Sequence, residues 1–321
     1  MSSTRLPSGA TSRGSPASAA AAYAAATPGA ERIRWHQRVR TEVSGLLASF
    51  AQIYFIPSAG IGLMLLAVLA LADLNAATTG LAASLGASLV ALLLRLPRDA
   101  RRNGLFGYNG ALTGIAFGAL WQPDAAFVAW LAVCVTLTVI ASAELARHRL
   151  PALTGPFVGV MALSWAMQPW LGLVTRVGAL ACDTRSPGFV FCSVGQVVFI
   201  APLVLGLLTW YLLALWNARA TLWALAAGVV TWTGIALLAR HWPALAGQAG
   251  GIGVNAFLAA LGLGVFQRAP GIRFIGAMVA GGCCVALGSL LGPLGWPYFT
   301  LPFNLAVWTM LALTHPARRV V

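Results

Sequence analysis

The sequence predicts an all-α polytopic membrane protein: two inverted five-segment repeats, with re-entrant or broken pore helices around a midplane pore. Three observations predict it. Charge is nearly absent, ten apolar segments fall into two groups of five, and short polar motifs recur at one spacing.

The 321 residues are 59% hydrophobic and 8% charged, where a soluble domain carries about 25% charge. A water-soluble globule of this length needs far more polar surface. Soluble enzymes, extracellular scaffolds and disordered chains are thereby excluded. A spanning helix takes about 20 apolar residues, so the chain has room for about ten with short loops. The net charge of +13 invites a nucleic-acid reading, but all 20 basic residues are Arg and lie between apolar runs. Phosphate contacts need a clustered basic face, whereas Arg at segment ends is the pattern of membrane orientation. No nucleic-acid partner is expected.

Residues 1–41 read as a solvated, disordered cytoplasmic tail rich in Ala, Ser, Pro and Gly near its start. No apolar core follows a basic start, so a secretory signal is not expected. Arg5 and Arg13, with no acid before Glu31, give only a weak likeness to a transit peptide. Apolar segments follow at 45–72, 74–95, 105–122, 125–147 and 155–174. After a more polar stretch come 190–216, 219–240, 251–268, 270–291 and 298–314. The expected organisation is a first membrane repeat at 42–174, an external loop at 175–189, a second repeat at 190–314 and a cytoplasmic end at 315–321. The segments 45–72 and 190–216 are long and carry Pro57 and Pro202. Each reads as a span or as a re-entrant piece followed by a helix.

Arg placement sets the orientation. With ten spans, one side holds Arg32, Arg34, Arg38, Arg40, Arg95, Arg98, Arg101, Arg102, Arg147, Arg149, Arg219, Arg268, Arg273, Arg318 and Arg319. The other side holds Arg176, Arg185 and Arg240. Both termini are therefore expected in the cytoplasm.

Three patterns recur 144 to 146 residues apart. Ser49-Phe-Ala-Gln52-Ile-Tyr-Phe55 matches Ser193-Val-Gly-Gln196-Val-Val-Phe199, and Gly107-Tyr-Asn109-Gly-Ala-Leu112 matches Gly253-Val-Asn255-Ala-Phe-Leu258. Pro151-Ala-Leu-Thr154-Gly-Pro156-Phe157 matches Pro297-Tyr-Phe-Thr300-Leu-Pro302-Phe303. Five crossings reverse the direction of the second copy, so the repeats are expected to be inverted, with a substrate site at their interface near the midplane. Pro57, Pro156, Pro202 and Pro302 interrupt helical patterns, and broken backbone at that depth is tolerated only when buried in protein or lining a wet cavity. Pro and Gly also simply kink and pack membrane helices; their place beside the repeated residues favours the pore.

Acidic, His and Lys residues are missing at mid-segment, which leaves a proton or ion path without its usual residues. The exception, Glu144, lies within a turn of Arg147 and reads as a structural pair. A neutral solute fits best. There is no phosphate loop, zinc motif, paired carboxylate or nucleophile elbow, so neither a cofactor nor enzymatic activity is expected. Gln52 and Gln196 offer an acceptor and two donors each. Phe55 and Phe199 follow three residues later, on the same face of a helix, and could bound a slot for a planar solute. Thr154 and Thr300 offer hydroxyls beside a proline, and Leu112 and Leu258 apolar walls. Taken singly, each Gln also reads as interhelical glue and each Phe as packing; the repetition favours the pore.

The run Leu105-Phe-Gly107-Tyr108-Asn109-Gly110-Ala-Leu112-Thr-Gly114 resembles the Gly-Tyr-Asn-Gly-x-Leu-x-Gly signature of the urea transporter family. Thr300-Leu-Pro302-Phe303-Asn304 resembles its Thr-Leu-Pro-Phe segment, in a likeness that spans about residues 42–314. The resemblance implies passive, selective conduction of urea in a homotrimer within the lipid bilayer, with one pore per subunit. It implies Gln52 and Gln196 at the mouths, Phe55 and Phe199 on the slot walls, Leu112 and Leu258 inside, and Thr154 and Thr300 at the centre. Tyr108, Asn109, Asn255, Pro302 and Phe303 would support the pore. The family's second mouth position can be an acid, where this chain has Gln196. Val254-Asn255-Ala256 departs from Tyr-Asn-Gly. The competing readings are an ion-coupled secondary transporter of a small neutral solute, a water or ammonia channel, and a membrane enzyme or structural subunit. The chain lacks paired Asn-Pro-Ala motifs and mid-membrane His pairs, which weighs against water and ammonia. Cys182 and Cys192 flank the 183–191 stretch on the expected outer side, where a disulfide is permitted.

Overall fold

Apolar runs that must satisfy every backbone amide internally form helices in hydrocarbon. Helices are what this chain builds. A computed structural model describes residues 28–176, 186, 188–267 and 269–314. The elements are α1 (Pro28–Gln52), α2 (Ala59–Ala72), α3 (Leu74–Leu93), α4 (Arg98–Arg102), α5 (Tyr108–Leu120), α6 (Ala125–Arg147) and α7 (Gly155–Leu171). After them come α8 (Phe189–Gln196), α9 (Leu203–Leu238), α10 (Ala244–Phe266), α11 (Pro270–Leu291) and α12 (Leu301–Thr314). Among the described residues no strand forms; Trp121 and Thr175 make an isolated antiparallel bridge. Cys182, one half of the expected disulfide, lies outside the described residues, and Cys192 is disulfide-bonded.

Stretches within 74–93, 125–147, 203–238, 247–266 and 270–294 are long and apolar enough to cross a membrane, and α2 and α12 are shorter apolar helices. The 36-residue α9 leaves helical geometry at Asn217 (φ −149°, ψ 83°). It therefore joins the last part of one expected segment to the whole of the next. Asn217 Oδ1 accepts from Ala220 N at 3.0 Å and so starts the second part as a capping residue does. Asp73 begins α3 in the same way, accepting from Asn75 N and Ala76 N at 3.0 and 3.1 Å. Asp124 begins α6 through Phe127 N at 2.7 Å. Glu144 lies 3.1 Å from both Arg147 and His148.

Residues 28–41, placed in the disordered tail by the sequence, are helical. The chain divides between Val43 and Ser44 into two units. Within the first, Thr41 Oγ1 donates to Gln37 O at 2.9 Å. The second carries the repeated motifs. Its core is built by close helix contact over small residues, as expected where lipid removes the hydrophobic drive for association. Ala76, Ala77, Gly80, Ala83, Ser84, Ala87 and Ala91 form the buried stripe of α3. Gly114 of α5 faces Ala83 Cβ and Thr79 O with no room for a side chain. α5 is buried from Tyr108 through Gly118.

Candidate functional site

The two long segments break at their prolines. In the first, α1 stops at Gln52, and Tyr54 N, Phe55 N and Ile56 N bond back to Ala51 O, Gln52 O and Ala51 O at 2.9, 2.9 and 3.1 Å. In the second, Val198 N, Phe199 N and Ile200 N bond to Gly195 O, Gln196 O and Gly195 O at 3.0, 3.1 and 3.0 Å. Phe55 and Phe199 take positive φ, 63° and 62°, a conformation that costs a non-glycine residue about 1–2 kcal/mol. This corrects the sequence reading. Neither Phe shares a helix face with its Gln, because the chain has left the helix by that point. Ile56 precedes Pro57, a place that disfavours helical backbone.

The break is held alike in both copies. Ser49 Oγ donates to Gly45 O and Ser193 Oγ to Phe189 O, both at 2.9 Å. Gly107 packs against Ser49 Oγ and Gly253 against Ser193 Oγ; Gly62 abuts Leu47 O and Gly206 abuts Phe191 O. A side chain at any of these four glycines would collide with its neighbour.

The starts of α7 and α12 also correspond. Leu153 and Phe299 precede them with φ of 46° and 45°. Asn109 Oδ1 accepts from Phe157 N at 3.2 Å and its Nδ2 donates to Leu153 O at 3.0 Å. Asn255 Oδ1 accepts from Phe303 N at 2.9 Å and its Nδ2 donates to Phe299 O at 3.0 Å. Each Asn, itself fully buried, thus satisfies one of the amides a helix start leaves unpaired. Pro156 and Pro302 sit one residue earlier and have no amide to satisfy. The two starts meet: Thr154 Oγ1 lies 2.7 Å from Thr300 Oγ1. Asn304 bridges them, accepting from Thr154 N at 3.0 Å and donating to Thr154 Oγ1 at 3.0 Å and to Thr300 O at 2.8 Å.

Aromatic rings flank this junction. Phe55 and Phe303 meet edge to face at 6.1 Å, and Phe157 and Phe299 at 5.7 Å. Leu112 and Leu258 are wholly buried on α5 and α10. On one side of the junction lies a cavity of about 680 Å³, lined among others by Gln52, Phe55, Asn103, Tyr108, Arg149, Leu153 and Phe266. Gln52 Oε1 is enclosed and has no hydrogen-bond partner among the described residues. Gln196 and Phe199 line no part of this cavity; Gln196 Oε1 rests against Gly250 of α10. The sequence-selected residues Thr154, Thr300, Asn109, Asn255, Phe303 and Phe55 are therefore joined at the junction; Gln52 shares the cavity with Phe55 and Tyr108, and Gln196 and Phe199 lie outside it.

A family comparison decides the class. The model of the urea transporter family matches residues 43–315, which take in both breaks and both helix starts. The chain belongs to the urea transporter family. A comparison with curated proteins found no match. Urea transporters carry urea across a membrane, and this one has the apolar helices of an integral membrane protein.

Sequence reasoning missed several residues of this urea transporter's junction. Asn304 follows Thr300 by four positions, but its counterpart in the first copy is Val158. Tyr54 Oη donates to Val194 O at 2.9 Å, joining one break to the other, and its counterpart is Val198. Trp308 Nε1 donates to Pro151 O at 3.0 Å and fixes the approach to α7. Tyr108 Oη donates to Leu153 O, where Val254 offers nothing to Phe299 O. A search for repeated polar residues passes over Asn304, Tyr54 and Trp308; Tyr108 stands among the expected pore-supporting residues only through the family's Tyr-Asn signature.

Proposed function

We propose that the chain is a passive, channel-like urea pore. The observation that carries the reading is the Thr154–Thr300 hydroxyl contact of 2.7 Å. It joins two helix starts that carry matched capping contacts 146 residues apart. These contacts support an inverted pair of repeats, 42–174 and 190–314, each contributing one broken segment and one half-length helix to a midplane filter. The pore runs through each subunit of a trimer, in an inner membrane with both termini in the cytoplasm. Trimer, leaflet and membrane rest on family resemblance and on the Arg pattern.

Urea is planar, neutral and strongly hydrated, and stripping its water is costly unless other hydrogen bonds replace it. The Thr pair has a defined capacity. Two hydroxyls offer four lone pairs and two protons. Asn304 Nδ2 takes one lone pair, and the mutual bond takes one lone pair and one proton. Two lone pairs and one proton remain for a solute, which suits a molecule with both N–H donors and a carbonyl. Gln52 Oε1 is an unmatched acceptor nearer one mouth. Phe55, Phe303, Phe157 and Phe299 give the apolar flanks. The partial positive ends of α7 and α12 converge at the junction, which disfavours cations. Several weak stations let the solute leave as readily as it enters.

The test is urea efflux from proteoliposomes. Flux should follow the urea gradient and be indifferent to an imposed proton or sodium gradient. Thr154→Val/Thr300→Val should abolish most of the flux while the protein stays assembled. Flux that tracks the ion gradient would mean a coupled transporter, and unchanged flux in the double variant would remove the central hydroxyls from the pathway.

A further inference from the structure

Arg273 is an anomaly in this molecule. It lies in the first turn of α11, retains 7% of its surface, and its Nε and Nη1 are enclosed with no hydrogen-bond partner among the described residues. The guanidinium packs against Gly264 of α10; a β-carbon there would fall 3.2–3.4 Å from its Cζ, Nη1 and Nε. The charged group that acts on it is another cation, Arg219 of α9. A buried, unpaired charge is expensive, and a like charge beside it adds to the cost. Ionisable residues in membrane segments ordinarily pair or mark a functional site.

The surroundings say what the missing counter-charge looks like. One turn along α9 from Arg219 stands Trp223, in edge-to-face contact with Phe274 of α11 at 5.7 Å. Trp is enriched at headgroup level. At the level of this pair and beyond it the two helices present apolar side chains outward: Leu222 is 53% and Ile275 52% exposed beside the pair, and Met278 70% exposed one turn further on. Two cations, an aromatic pair at the same end of the two helices, and exposed apolar surface beside and beyond it: that set matches a phosphate headgroup, its glycerol region and its acyl chains. Guanidinium groups bind phosphate oxygens through charge-assisted pairs.

We propose that Arg273 and Arg219 form a binding site for an anionic phospholipid, in the groove between α11 and the second part of α9. By the Arg pattern this groove faces the cytoplasmic leaflet. The lipid supplies the negative charge that the described residues leave out at Arg273.

The test is lipid binding by the intact protein, read without reference to urea flux. Protein in neutral detergent is titrated with phosphatidylglycerol, phosphatidylcholine or inorganic phosphate, and bound lipid is counted by native mass spectrometry alongside the thermal midpoint. The expected result is one tightly held phosphatidylglycerol per subunit and a midpoint raised by that lipid alone. Arg219→Gln, whose side chain is exposed, should keep the fold and bind the lipid about tenfold more weakly, and Arg273→Gln should abolish the tight site. A midpoint raised equally by phosphate would make the site a free-anion site and overturn the lipid. Equal binding of both lipids, or full binding by both variants, would overturn the proposal outright.

Discussion

Asn304 holds Thr154 at two points, accepting from its amide and donating to its hydroxyl, both at 3.0 Å, although 150 residues separate them. The same amide group donates to Thr300 O at 2.8 Å. One side chain therefore fixes the spacing of both helix starts. It also aims the Thr154 hydroxyl, because the bond accepted from Asn304 and the bond to Thr300 leave that oxygen one remaining position, a lone pair if Thr154 donates to Thr300 and a proton if it accepts.

Asn304→Val, which places in the second copy the residue type of Val158, should strand the buried Thr154 amide. An unsatisfied buried donor costs about 1–3 kcal/mol. The thermal midpoint should fall and urea flux with it. Asn304→Asp keeps the acceptor for Thr154 N but donates to neither oxygen, so it should fold better than the Val variant while conducting poorly. If Val and Asp variants conduct like the parent, Asn304 does not orient the hydroxyl.

Much of this architecture was legible in the sequence, for identifiable reasons. Apolar runs without charge have few ways to satisfy their backbone, so the helices fall close to the segments that the composition marks. Pro57 and Pro202 mark the breaks because proline lacks a donor and restricts the residue before it. Asn109 and Asn255 stood out because each sits in a matched motif. What stayed hidden is what the repeats do not share. Asn304 and Tyr54 face Val158 and Val198 in the matching positions, so duplication conceals them. The turn that swings Phe55 off the helix axis is a backbone event, and side-chain spacing carries no sign of it.

Thr154 and Thr300 should behave as one unit. Each single Thr→Val change removes the mutual bond and leaves the other hydroxyl buried without it, and the second change then removes a group already stranded. Contacting residues show coupling of about 0.5–3 kcal/mol in a double-mutant cycle. The double variant should be less destabilised than the sum of the singles, measured by chemical unfolding in detergent. Strict additivity would mean that the two hydroxyls do not bond to one another.

Gly262 of α10 sets the room available to two flanking rings. A β-carbon there would stand 3.0 Å from Phe55 Cζ and 3.2 Å from Phe303 Cε2. Gly262→Ala asks the rings to move by a few tenths of an ångström, and Gly262→Val by much more in a region packed at crystal-like density. Urea flux should fall in the order Gly, Ala, Val, with methylurea lost before urea. The midpoint of Gly262→Ala should change little, since the roughly 1 kcal/mol that Ala gains over Gly inside a helix offsets an overpacking cost of about 1 kcal/mol. An Ala variant with lower stability and normal selectivity would place the rings outside the pathway.

Asp73 and Arg176 provide the last test, far from the junction in sequence and joined across 103 residues. Arg176 Nη1 lies 2.8 Å from Asp73 Oδ2 and also donates to Gly118 O, while Asp73 Oδ1 caps α3. The carboxylate thus serves two purposes with its two oxygens. Asp73→Asn retains a good cap and weakens the pair; Asp73→Ala loses both; Arg176→Gln loses the pair and keeps the cap. The side chains are 26% and 32% exposed, so solvent screening holds the pair itself to about 1 kcal/mol or less. A lost cap costs about 1 kcal/mol. Thermal midpoints should therefore fall least for Asp73→Asn, and further both for Asp73→Ala, which also loses the cap, and for Arg176→Gln, which also loses the bond to Gly118 O. Adding Arg176→Gln to Asp73→Ala should cost only what the lost bond to Gly118 O is worth. A further fall as large as that of Arg176→Gln alone would show that the ion pair contributes nothing and that the cap is what Asp73 supplies.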